Sequence, residues 1–129
     1  MNRRIVSTLA FACLLAAVIV RVEAQQTRQS GGAPQIKADE IAGVVTSSKG
    51  PEAGVWVIAE TTSLPTKYVK IVVTDEQGQY LLPGLPKASY KVFVRGYGLV
   101  DSTPVPGTLG TRIDLKAVIA PTPRDAAKY

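Results

Sequence analysis

The chain has 129 residues, one cysteine, no histidine and a formal net charge of +5 from 15 Lys/Arg against 10 Asp/Glu. That length holds one domain. The missing histidines exclude Cys/His zinc sites, histidine-activated Ser or Cys nucleophiles and histidine general bases, and a single cysteine excludes an internal disulfide. No cofactor or metal is therefore expected. The basic residues from Lys37 to Lys116 are scattered among acids rather than clustered, so nucleic acid is not an expected partner.

Residues 1–24 read as a Sec-type signal peptide. Asn2-Arg3-Arg4 is a basic n-region, Ile5 to Val20 carry no charge, and Val22-Glu23-Ala24 places small residues where a signal peptidase reads them. Arg21 ends the apolar run short of the roughly 20 residues that a membrane-spanning helix needs. Cleavage after Ala24 is expected, giving a secreted or periplasmic chain that has lost Cys13 and has no stable membrane insertion. Residues 25–38, rich in Gln, Ser, Gly, Thr and Ala, show no apolar period and read as a flexible lead-in.

From Ile41 onward, short runs rich in Val, Ile and Tyr alternate with Gly, Pro, Asp or Ser clusters at the spacing of about 8–12 residues that marks an all-β sandwich or barrel. The predicted strands are 40–47, 55–61, 68–74, 79–82, 89–95, 99–103 and 111–118, within a domain spanning 39–118. Lys49-Gly50-Pro51, Asp75-Glu76-Gln77-Gly78 and Pro83-Gly84-Leu85-Pro86 are the predicted turns. Asp75 and Glu76 are expected in a hairpin and not in a calcium loop, because the alternating oxygen ligands of such a loop are missing. A Lys37–Asp114 isopeptide is not expected either. Residues 119–129 read as a Pro-containing, extended linker without a capping element, as though the chain were the N-terminal piece of a longer exported protein.

Period-two alternation predicts which face each strand buries. In 89–95 the core set is Tyr90, Val92 and Val94, which turns Lys91, Phe93 and Arg95 outward. In 55–61 the core set is Val55, Val57 and Ala59, which turns out Trp56, Ile58 and Glu60. In 68–74 the alternation points Val69, Ile71 and Val73 inward, and Tyr80 and Leu82 are inward in the short strand that follows. If the two outward sets are sheet neighbours, Trp56, Ile58, Lys91, Phe93 and Arg95 form a surface patch. Its aromatic pair suits a sugar ring or another protein domain.

Gly43-Val44-Val45, Gly54-Val55-Trp56-Val57, Thr74-Asp75-Glu76-Gln77-Gly78-Gln79-Tyr80 and Leu85-Pro86 followed by Tyr90-Lys91-Val92 form a connected series. Between Ile41 and about Gly98 this series resembles the carboxypeptidase regulatory-like family. The resemblance implies a seven-strand Greek-key β-sandwich of transthyretin-like type with a carbohydrate-binding-like fold. It also implies a non-catalytic accessory module of larger exported proteins, whose partners would be a polysaccharide or a neighbouring protein domain; from the strand pattern and the missing metal ligands, the domain is expected to be a monomer. The resemblance carries over no catalytic residue. The same module extends some outer-membrane transporters at their N-terminus. The 5-hydroxyisourate hydrolases of this topology depend on histidine and a terminal Tyr-Arg-Gly-Ser, and the chain has neither.

Overall fold

The computed structural model describes residues 35–128, so the expected signal peptide, and the lead-in as far as residue 34, lie outside the described residues. Within them, no helix is long and apolar enough to cross a membrane. In β1 (Ile41–Ser47), Ile41, Gly43 and Val45 are buried on one face. A tight turn leads to β2 (Gly50–Pro51), followed by β3 (Trp56–Thr61), β4 (Tyr68–Val73), β5 (Gln79–Leu82) and β6 (Tyr90–Arg95). Short pieces complete the chain: β7 (Leu99–Val100), β8 (Val105–Gly107), β9 (Thr111–Arg112), β10 (Leu115–Lys116), β11 (Val118–Ile119) and the single turn α1 (Pro123–Ala126).

Two sheets face one another across a shared core. In the first, β1 pairs antiparallel with β5 and β2 and parallel with β9 and β10. The second runs β4-β3-β6-β8, antiparallel throughout. A separate ribbon joins β7 to β11. The core takes Ile41, Val45, Tyr80 and Leu82 from the first sheet and Val57, Ala59, Val92 and Val94 from the second. Fully burying each such aliphatic side chain contributes about 1.5–3 kcal/mol.

Two close approaches fix the register. A Cβ on Gly43 would stand 1.9 Å from the Ile113 carbonyl oxygen, so only glycine lets the C-terminal strands cross β1 there. The Tyr80 hydroxyl donates to that same oxygen at 2.6 Å, and burial, with Asp114 adding to it, holds the phenol well above its ordinary range. The predicted hairpin at Asp75 closes as expected. Its Oδ1 accepts from the backbone N–H of Gln77 and Gln79, at 2.9 and 2.7 Å, and Gly78 adopts a φ of 73°.

Several expectations need correction. Val69, Ile71 and Val73 are exposed, and Tyr68, Lys70 and Val72 are the half-buried face of β4, the reverse of the alternation reading. The run 111–118 is broken into β9, β10 and the start of β11, and 99–103 shortens to β7. β8 was not foreseen because Pro104 and Pro106 flank Val105, but at a sheet edge a proline leaves no needed ladder bond unmade. The tail does carry a cap: Thr122 Oγ1 accepts from Asp125 N at 3.2 Å and starts α1. Lys37 pairs with Glu40 at 3.6 Å while Asp114 pairs with Arg112 at 3.0 Å, so the two residues weighed for an isopeptide have separate partners.

Candidate functional site

The pairing of β3 with β4 and β6 sets out the outward face of the second sheet in rows. Trp56 lies opposite Val73 and Arg95, Ile58 opposite Ile71 and Phe93, and Glu60 opposite Val69 and Lys91. All five residues of the predicted patch therefore reach one face, because β3 and β6 are direct neighbours. Directly opposite side chains on one face stand about 4.5–5.5 Å apart at Cβ, so the rows form a continuous surface.

The patch differs from the expected one in its middle and its extent. Trp56 is 49% exposed, but Ile58 is only 5% exposed: it faces outward yet is covered by its neighbours Ile71 and Phe93, and it stands outside the main core cluster. In its place β4 supplies Val69, Ile71 and Val73, at 43, 51 and 57% exposure. Alternation alone concealed them, because it assigned them to the core. Phe93 is half-buried beneath Arg95, whose guanidinium carbon lies 5.9 Å from the ring centroid. Arg95 also grips Asp101, with Nε donating to Oδ1 at 2.7 Å and Nη2 to Oδ2. These bonds hold the guanidinium even more firmly protonated than usual.

The charged residues of the patch separate to its two ends. Lys91 lines a hollow of about 680 Å³ together with Glu60, Lys67 and Ser63, and Glu60 pairs with Lys67 at 3.8 Å. At the other end Trp56 and Arg95 border a larger hollow of about 810 Å³ with Tyr97, Gly54, Pro121 and Pro123. Tyr97, not foreseen from the sequence, is fully exposed at the tip of a turn closed by the Leu99 N–H donating to the Gly96 carbonyl at 3.1 Å, with Gly98 at a φ of 74°. The Gly-Tyr-Gly run was the signal for it: an aromatic flanked by glycines in a tight turn has little to pack against.

Tyr80 and Tyr90, expected to point inward, are buried core residues with satisfied hydroxyls, Tyr90 donating to the Pro86 carbonyl at 2.7 Å. Among the described residues no group of three or more His, Cys, Asp or Glu side chains is placed to hold a metal ion. The face as built can stack, bury apolar area and form peripheral ion pairs. No family model matches the chain, and no curated protein matches it.

Proposed function

We propose that the chain is an exported, non-catalytic interaction module of the carboxypeptidase regulatory-like type, a transthyretin-like Greek-key sandwich that contacts a neighbouring protein domain or a polysaccharide through the outward face of its second sheet. The carrying observation is the contiguous apolar surface of Trp56, Val69, Ile71 and Val73 laid over Ile58. Apolar surface gathered on one sheet face marks a contact site, whereas scattered apolar residues do not. Export rests on the basic n-region and the uncharged run of residues 5–20.

The contact is through the face and not the strand edge. β4 ends its sheet, and Lys70 is half-buried on the core side of that strand. An inward-pointing charge on an edge strand opposes the addition of another strand, which favours a monomer that binds by its face.

The test is site-specific photocrosslinking in the native cells. A photoreactive residue in place of Ile71 is expected to give a discrete protein or glycan adduct, while one in place of Lys49, in the β1–β2 turn of the other sheet, gives none. Equal labelling at both positions, or none at residue 71, overturns the reading.

A further inference from the structure

The hollow at the Trp56 end of the sheet has a different chemistry from the face beside it. It is concave, and its volume of about 810 Å³ falls within the roughly 300–1,000 Å³ of small-molecule sites. Two aromatic side chains line it. Trp56 is half in water, and Tyr97 is entirely so. Nothing in the fold uses the Tyr97 ring, so the turn that presents it contributes nothing to the core through that side chain. Tyrosine and tryptophan at such positions combine large, stiff contact area with a polar tip.

Charge narrows the ligand. Among the described residues, Arg95 is the only ionisable cation or anion lining the hollow besides the tyrosine phenol, and Asp101 already holds its guanidinium in two hydrogen bonds. The described lining of the hollow therefore has no uncompensated charge to draw a phosphate, an acidic peptide or a nucleic acid. Elsewhere its surface is glycine backbone, proline, alanine and Thr122. At Gly54 and Gly98 an added Cβ would meet nothing within 4 Å, so the main chain there borders open space, while the Gly54 N–H donates to the Thr74 carbonyl and the Gly98 carbonyl accepts from Ala120 N. Exposed aromatic faces, a glycine main chain that borders open space and a compensated charge complement a neutral molecule with apolar ring faces and hydroxyl edges. We infer that this hollow is a subsite for a neutral oligosaccharide, with Trp56 and Tyr97 as its stacking residues. The inference rests on reading the chain as a binding module, but it uses a surface separate from the β4 residues.

Trp56 is the only tryptophan, so its emission reports on the hollow directly. The full chain is titrated separately with cellohexaose, maltohexaose, xylohexaose and mannohexaose, with poly-L-glutamate as the charged probe. At least one saccharide is expected to change the emission saturably, and Tyr97→Ala should weaken that binding about tenfold or more while leaving the melting temperature unchanged. Ile71→Lys should leave the affinity as it was, and poly-L-glutamate should not bind. No saturable change with any of the four saccharides overturns the inference. So does binding that survives Tyr97→Ala but is lost in Ile71→Lys, which would move the ligand to the sheet face and leave the module reading intact. Tyr97-dependent binding of poly-L-glutamate would instead make the hollow a peptide site. A discrete crosslink at residue 71 without saccharide binding would sink this inference alone.

Discussion

β4 and β6 flank the same strand and carry similar alternating sequences, Tyr-Val-Lys-Ile-Val-Val and Tyr-Lys-Val-Phe-Val-Arg. In β6 the apolar set Val92 and Val94 is buried, as its contrast with Lys91 and Arg95 requires. In β4 the more apolar set faces water. The ends of β4 supply the physical reason. Just past the strand, buried Thr74 donates its Oγ1 proton to the Glu52 carbonyl at 2.6 Å and accepts from Val55 N at 3.1 Å. At the start, the Tyr68 ring meets Tyr90 edge-on at 6.3 Å between centroids. Tyr68 and Thr74 have the same parity, and because side chains alternate with period two, anchoring both inward turns Val69, Ile71 and Val73 out. Anchors at strand ends can thus override the polarity contrast within a strand, most readily at a sheet edge where one side lacks a partner.

Four tests break or sharpen this contrast. The largest effect is expected in β6, where Val92→Asp places an unpaired carboxylate in a fully buried site. It should destabilise by several kcal/mol, roughly 3–5, a large part of a small domain's total. Lys91→Asp, one residue away on the exposed face, should melt close to the parent, and equal melting of the two variants would reverse the β6 register. Next comes the β4 anchor. Thr74→Val keeps the shape but leaves the Val55 N–H without its side-chain acceptor, at a cost of about 1–3 kcal/mol by urea denaturation. An unchanged midpoint would mean that Thr74 does not set the parity of β4.

The third test uses pH at the contact between the two strands. Burial, with Tyr68 adding to it, raises the Tyr90 phenol above its ordinary value of 10.0. The folded state then keeps a proton that the unfolded state releases. Stability from this group is complete below about pH 10 and falls as pH rises through the raised folded value. Tyr90→Phe keeps the ring but loses the bond to Pro86, so it should be about 1 kcal/mol less stable near neutrality. It should also lose less on going to about pH 11, and an alkaline slope matching the parent's would remove Tyr90 from the account. The smallest effect belongs to Ile71→Lys, which should stay within about 0.5 kcal/mol of the parent because the side chain is exposed. A loss of several kcal/mol would return Ile71 to the core.

Where composition contrast and turn chemistry agreed, the sequence was legible. The hairpin at Asp75–Gly78, the inward Tyr80 and Tyr90, and the outward Trp56 and Phe93 all follow from local rules. Ile58 shows a different limit: alternation gives the direction of a side chain but not what its neighbours cover, and in the middle of a four-stranded sheet an outward isoleucine can be nearly dry. The pieces between residues 99 and 119 were harder because two-residue strands carry too little periodicity to read. Trp56 and Arg95 were the legible parts of the larger hollow. Tyr97 was not, since no strand pattern passes through it, and the wall formed by Pro121 and Pro123 depends on a return of the chain that no local signal announces.

The two-sided pairing of β1 has a consequence for how the molecule comes into being. This strand emerges early in synthesis, yet its parallel neighbours β9 and β10 arrive only after β8, and the Val44 N–H waits for the Asp114 carboxylate 70 residues later, at 2.9 Å. Closing so long a loop is entropically slow, and chains dominated by such distant pairings fold late. A nascent chain that has not yet released residue 111 holds β1 with one flank bare and Tyr80 without the Ile113 carbonyl. That order of events keeps the sandwich open until β9 and β10 are made.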